Sequence, residues 1–460
     1  MLLRFRCKNF RSIREEQELS LVAAKTRTDE KSESLIETSL DDLKLLRCAA
    51  IYGPNASGKS NILAALSTFC QMVSYSHRLW RPNGPIPAYA PFLLDENSRN
   101  DESEFELSFL LESSIYKYGF RFNQTTFLKE WLIDTTNRDK VLFVRTTGGE
   151  TANLSFPNRN LGKSSEDSRH LEGIRRDVRP NSLFLSASAQ RNHPVLSQIF
   201  AYLSANSEVV QGQNFPMLIA RTAATCADSS RRDQIAKMLE FADTGIHGLS
   251  VISKDVPDGV KQPILSILKA MKDSSPEAFS QLQTDGTIFF PAFEIRMSHL
   301  GSKGKLYPLD TSQESYGTLA YFSILGPLLD KLRDGGVLMI DELESNLHPI
   351  LAGRIMAVLN SSDLNPKGAQ IIFTTHNSNL LDLDLLRRDQ IWFTEKSQEG
   401  TTKLFSLFDF HPQPRTDQNI ETRYLGGRFG AIPFLDNKLL LESLLSKVPT
   451  QGSLKFSGEN

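Results

Sequence analysis

The stretch that decides the fold is CAAIYGPNASGKSNILAALSTF, residues 48–69. CAAIY is a short apolar run that stops at a glycine, which predicts a buried strand. From Lys59 onward, Ile62, Leu66, Phe69 and Val73 recur at helical spacing. Strand, glycine loop and helix therefore follow one another. Between them GPNASGKS (53–60) matches G-x-x-x-x-G-K-[ST] in full. Glycines let backbone N–H groups curl around phosphate oxygens, and the helix opening near Lys59 turns its positive end toward them. Gly53, Pro54, Asn55, Ala56, Ser57, Gly58, Lys59, Ser60 and Asn61 are the expected nucleotide-binding residues. Lys59 would reach the β- and γ-phosphates of ATP, and the Ser60 hydroxyl would ligate Mg²⁺.

Toward the C-terminus, apolar strands alternate with helical patterns: VLMID (337–341), IIFTTH (371–376) and IWFTEK (391–396). Nearly continuous apolar strands separated by helices predict a parallel α/β sheet. The first ends in Asp341 and Glu342. Ligands bind at the carboxyl edge of such a sheet, so Asp341 is expected in the Mg²⁺ shell and Glu342 as the residue that polarises the attacking water. A strand that ends in acids is weak evidence alone and gains meaning beside a P-loop. His376, at the end of the next strand, could hydrogen-bond a γ-phosphate or the water. Upstream, Ser315 and Gly317 precede a helical run; such a helix start is either an ordinary N-cap or an anion site.

On the N-terminal side, residues 2–7 alternate, with Leu3, Phe5 and Cys7 on one face and Arg4 and Arg6 on the other. That is strand periodicity. EFELSFLL (104–111), IYKYGFRF (115–122), FLKEWLI (127–133) and KVLFVRT (140–146) predict an antiparallel meander. Residues 157–181, polar and rich in Ser, Asn and Arg, read as a surface loop. Helical spacing follows at 194–205, 231–242 and 263–273, and strand patterns at 287–296 and 305–309.

The chain has 460 residues, a net charge of −2 and 40% apolar residues, an ordinary globular composition. The near-neutral balance argues against a generally basic nucleic-acid coat. Four scattered cysteines form no metal-type pair, and no apolar run is long enough for a membrane helix. A cytoplasmic location is expected.

GPNASGKS, ESYGT, LMIDE and TTH, in that order, resemble the parts of an ABC-type ATPase head. KNFRS (8–12) resembles the opening of the SMC and RecF branch. With DELESNLHP (341–349) and RYLGGRFGAIPFL (423–435), the chain is similar to RloA-like AAA ATPases of bacterial anti-phage systems. The resemblance implies an α/β fold: a P-loop NTPase of ABC-head type with an antiparallel β subdomain and a helical insertion. The divisions expected are 1–95 and 286–460 for the two parts of the ATPase lobe, 96–156 for the β subdomain and 157–285 for the insertion. It also implies a homodimer with two ATP molecules sandwiched between subunits, open to higher assembly. Ser315 and Gly317 would meet ATP held by the other chain, His376 would be the switch histidine, and Arg11 and Ser12 would lie near the nucleotide. Two departures stand out: Tyr316 inside the signature, and His348 where the D-loop usually has Asp. The Q-loop glutamine is left among Gln71, Gln124 and Gln190.

Related proteins pair with a Toprim-type nuclease. Too few residues follow His376 for such a domain, so an effector encoded nearby and acting in trans is expected. Two alternatives stay open: a DNA-maintenance ATPase of RecF or SMC type, and an ATP-dependent scaffold that traps a partner. For the first, Arg169, Arg175, Arg176 and Arg179 form the densest basic cluster.

Overall fold

The computed structural model describes residues 1–25, 34–148, 151–155, 161, 165–205, 207–210, 215–254, 292–344, 349–415 and 418–433. Its centre is the buried strand β5 (Cys48–Tyr52), followed by the P-loop and helix α1 (Lys59–Tyr75). Parallel neighbours flank it: β16 (Gln370–Thr375) and β17 (Ile391–Lys396). Beyond β16 come β15 (Val337–Ile340) and β11 (Ser207–Val210), also parallel, while β18 (Thr402–Ser406) closes the other edge antiparallel to β17. Because side chains alternate across a strand, each strand feeds two cores. Ala49, Ile51, Val337, Met339, Ile372 and Trp392 face one; Cys48, Ala50, Tyr52, Leu338, Ile340, Ile371 and Phe373 face the other. Burial on both faces explains the unbroken apolar runs.

The first core lies between this sheet and a seven-stranded antiparallel one. That second sheet contains β1 (Leu2–Lys8), β2 (Gln17–Ser20), β6 (Ser103–Leu111), β7 (Ser114–Phe122), β8 (Phe127–Asp134), β9 (Lys140–Gly148) and β10 (Thr151–Ser155). Its order is β10–β9–β8–β7–β6–β1–β2. The expected meander is present strand for strand, and β1 pairs with β6 at its side. Helix α1 is caught between the sheets: Phe69 stacks on Phe120 with centroids 5.2 Å apart and meets Phe5 edge-on. Leu3 departs from its expected face. A register shift between Leu2 and Arg4 puts Leu2 with Phe5 and leaves Leu3 with Ile36, Leu45 and Leu110. Ile36 and Leu45 belong to a small hairpin, β3 (Leu35–Glu37) and β4 (Lys44–Leu46).

The expected loop at 157–181 is corrected by the structure, which has helix α2 (Ser165–Asp177) there. Leu171, Ile174 and Val178 sit on one helical face and are buried in the first core; the arginines between them disguise that stripe. Helices α3 (Phe184–Gln190) and α4 (Pro194–Ala205) continue the layer. A second correction concerns β11, which lies in the stretch read as helical. Four residues are too few to show a period, yet they pair with β15 along its whole length.

Helices α5 (Phe215–Thr225), α6 (Ser229–Phe241) and α7 (Tyr316–Asp334) cover the other face together with α8 (Pro349–Asn360). Gly326 of α7 lets Thr222 of α5 approach: an added Cβ would lie 2.5 Å from its hydroxyl. Strands β12 (Ile246–Lys254), β13 (Ala292–Leu300) and β14 (Leu306–Asp310) form a separate antiparallel sheet leading into α7. The C-terminal motif contributes helix α9 (Ile420–Leu425). The expected helix at 263–273, residues 287–291 of the expected strand and His348 lie outside the described residues. Among the described residues no helix is long and apolar enough to cross a membrane.

Candidate functional site

The P-loop turns through backbone angles that side chains disfavour. Gly53 and Gly58 have φ of 154° and 106°, and Ala56 has 63°. Space is as restrictive as angle. A Cβ on Gly58 would lie 2.0 Å from the Thr402 hydroxyl, and one on Gly53 would lie 2.5 Å from the Thr394 carbonyl oxygen. Both threonines brace the loop. The Ser57 and Thr394 hydroxyls are 2.6 Å apart, and Thr402 donates to the Ser57 carbonyl at 2.8 Å. Nothing local in the sequence marks these threonines, which come from β17 and β18.

The KNFRS turn joins the same framework. Buried Asn9 donates its amide to the Ser98 and Asp101 carbonyls, while Arg11 takes φ of 51°. Ser12 lies 2.8 Å from the Thr402 hydroxyl and accepts from the Asn61 amide at 2.6 Å; Arg11 reaches Asn61 Oδ1 at 3.5 Å. Arg11 and Ser12 thus stand beside the first turn of α1.

Lys59 is buried. Its ammonium donates to the Gly53 and Pro54 carbonyls at 2.9 and 3.0 Å and lies 3.4 Å from His376 Nδ1. Burial pulls its pKa down to about 8, against the opposing pull of Glu344, Asp341 and Glu342. His376 follows β16 and is held below its ordinary pKa, first by burial and then by Lys59. Both effects favour the neutral imidazole, which has a donor and an acceptor nitrogen.

Asp341 follows β15, whose next neighbour, β16, lies between it and β5. One Asp341 oxygen accepts from Ser60 at 3.0 Å and from buried Thr374 at 2.6 Å. The Thr374 hydroxyl also accepts from the Glu342 N–H at 2.7 Å. Glu342 has φ of 55°, and its side chain is exposed. Ser60 and Asp341 form an oxygen-only pair, the donor type a hard divalent cation requires. Among the described residues no cluster of three or more His, Cys, Asp or Glu could hold a metal by itself. The pair suits Mg²⁺ shared with phosphate and water.

Ser315 caps α7 by accepting from the Thr318 N–H at 3.1 Å, with Gly317 in the first turn. Tyr316 is 54% exposed. The segment thus has the expected form of a Ser-Gly helix start, with Ser315 bonded to Thr318 and Leu319 of its own turn. Of the glutamines, Gln71 donates to Ser67 on α1, Gln124 lies in the β7–β8 turn and Gln190 ends α3. Among the described residues none of their hydrogen bonds reaches the P-loop. In the C-terminal motif, Tyr424 and Phe429 stack on Phe393, and Tyr424 donates to the Ala431 carbonyl at 2.8 Å. Tyr424, Leu425 and Ile432 line a cavity whose other wall is Gly53, Pro54, Asn55 and Ser57.

Of the basic cluster, Arg179 is tied into the fold, while Arg175 and Arg176 pair at the surface of α2. Arg179 donates to the Ser76, His77 and Trp80 carbonyls at the end of α1, and Arg175 and Arg176 pair with Glu172.

Three solved structures are similar across 88% of this chain, each with a TM-score of 0.36. They are an SMC head bound to the C-terminal winged-helix domain of ScpA (12% identity, 97% of that chain), the SMC head domain from Thermotoga maritima (13%, 98%) and an SMC head with an extended coiled coil bound to the C-terminal domain of ScpA derived from Pyrococcus furiosus (12%, 96%). No curated protein matches significantly. The fold is α/β, with the P-loop between β5 and α1 at the carboxyl edge of a largely parallel sheet. A family model matches residues 48–214 and 229–382, well over half of the sequence, and the chain belongs to that family, described as "AAA domain, putative AbiEii toxin, Type IV TA system".

Proposed function

We propose that this protein binds ATP with Mg²⁺, hydrolyses it, and uses the cycle to control a separate effector in anti-phage defence. The observation that carries the reading is the convergence of Lys59, Ser60, Asp341, Thr374, Glu342 and His376 at one carboxyl edge of a parallel sheet. Lys59 would leave the Gly53 and Pro54 carbonyls for the β- and γ-phosphates. Bound Mg²⁺, held by Ser60 and Asp341, would neutralise phosphate charge. Thr374 fixes Asp341 and the Glu342 backbone together, so Glu342 can orient water while His376 donates to the transferred group. Glu342→Gln is expected to lower kcat about 10²-fold while ATP affinity stays close to wild type. Unchanged turnover would remove Glu342 from this role.

Two copies would close around ATP, each offering Ser315 and Gly317 to the nucleotide of the other. Support comes from the form of this segment, a Ser-Gly helix start whose positive dipole end suits an anion. ATP should double the mass of Glu342→Gln in solution, and adding Ser315→Arg should prevent the doubling. Light scattering that still shows a dimer would contradict the sandwich. The family description, which refers to a toxin–antitoxin system, supports a defence role; an effector in trans, a Toprim-type nuclease encoded nearby, is the partner expected. The DNA-maintenance reading is weakened because Arg179 is committed to the end of α1.

A further inference from the structure

Glu344 lies two residues beyond Glu342 and has no part in the reading above. Its carboxylate accepts a hydrogen bond from the backbone N–H of His376 through Oε1. Its other oxygen, Oε2, is buried and finds no hydrogen-bond partner among the described residues. A buried carboxylate oxygen without a donor is costly unless positive charge lies nearby. Of the acids acting on Lys59, Glu344 is the foremost, ahead of Asp341 and Glu342, and the same holds at His376. The neighbouring Leu343 N–H donates to the Thr374 carbonyl at 3.0 Å, so the segment bearing Glu344 is tied to β16 just before His376.

We propose that Glu344 is a positioning residue for hydrolysis: by holding the His376 backbone N–H, it sets the imidazole against Lys59 at the γ-phosphate end of the P-loop. This rests on the ATPase reading. The hydrogen bond, and not the charge, does the positioning, which separates two substitutions. Glu344→Gln keeps an acceptor oxygen for the His376 N–H, whereas Glu344→Ala removes it.

Glu344→Ala is expected to lower kcat by about 10- to 100-fold, the cost of a displaced catalytic group. Its affinity for a non-hydrolysable ATP analogue should stay within about twofold, and Glu344→Gln should recover most of the turnover. In the Glu344→Ala background, His376→Ala should cost little more, because the two residues act as one unit. Wild-type kcat in Glu344→Ala overturns the proposal, and so does equal loss in Ala and Gln, which would assign the effect to charge. A readout that does not need hydrolysis is the His376 amide proton resonance. In the nucleotide-free protein it should move upfield in Glu344→Ala and stay close to its wild-type position in Glu344→Gln. A wild type that turns over no ATP sinks the ATPase reading, whereas an amide resonance indifferent to Glu344→Ala sinks the positioning role by itself.

Discussion

Lys59→Ala should weaken ATP binding by about 10²- to 10³-fold, the loss that follows when one partner of a close charge pair is truncated. The side chain starts in the α1 first turn and its ammonium already sits inside the P-loop, on the Gly53 and Pro54 carbonyls. Without ligand that placement is a burden, since burial holds the pKa at about 8 against an ordinary 10.5. For a base with a depressed folded pKa, the cost is present below about pH 8 and fades as the pH rises toward 10.5. Lys59→Met, which keeps the apolar stem, should therefore be at least as stable as wild type at pH 7. The two should converge at alkaline pH. Calorimetric titration with ATP, beside thermal unfolding across that pH range, tests both halves. Normal affinity in a folded Lys59→Ala protein would reject the P-loop assignment.

The second large effect lies away from the site. Glu130 of β8 is fully buried and accepts four hydrogen bonds: from Tyr118 at 2.9 Å, the Phe184 and Leu185 N–H groups at 2.7 and 3.0 Å, and Arg145 at 3.4 Å. Arg145 in turn donates to the Ser182 and Arg179 carbonyls at 2.5 and 2.9 Å. Leu183 stands at the N-cap of α3 and has no side-chain oxygen to offer, so the Glu130 carboxylate satisfies the first helical N–H groups instead. Burial pushes the Glu130 pKa up despite Arg145. Glu130→Ala leaves a buried guanidinium without its counter-charge and two N–H groups without an acceptor, and should cost about 3–5 kcal/mol. Replacing both charges, as in Glu130→Leu with Arg145→Met, should recover much of it. Urea unfolding followed by tryptophan fluorescence reads the difference. An unchanged midpoint in Glu130→Ala would show that α3 is held by its apolar contacts alone.

These residues differ in how far they could be read before folding. Gly53 to Ser60, the apolar strands ending at Asp341 and His376, and the meander are local patterns. Each carries its meaning within a window of about ten residues, because strand and helix periods are set by the backbone. Thr374, Thr394 and Thr402 carry no such mark. They matter because β5 lies between β16 and β17, which brings residues more than three hundred positions away against the P-loop. Helix α2 was hidden for a different reason: its apolar face is three residues wide and its exposed face is rich in arginine. Strand β11 was hidden by brevity.

What the sequence determined by itself is the chemistry at each chain position: a loop able to wrap phosphate, a strand ending in paired acids, a helix opening at Ser315 and Gly317. Local covalent geometry and side-chain period suffice for that. Only the tertiary structure decided which groups share a charge or a hydrogen bond. It committed Arg179 to the carbonyls that end α1, gave Glu130 the task of capping α3, and brought Glu344 to His376. The reason is physical: once buried, a polar group must find a partner, and chain connectivity places few limits on how far away in sequence that partner lies.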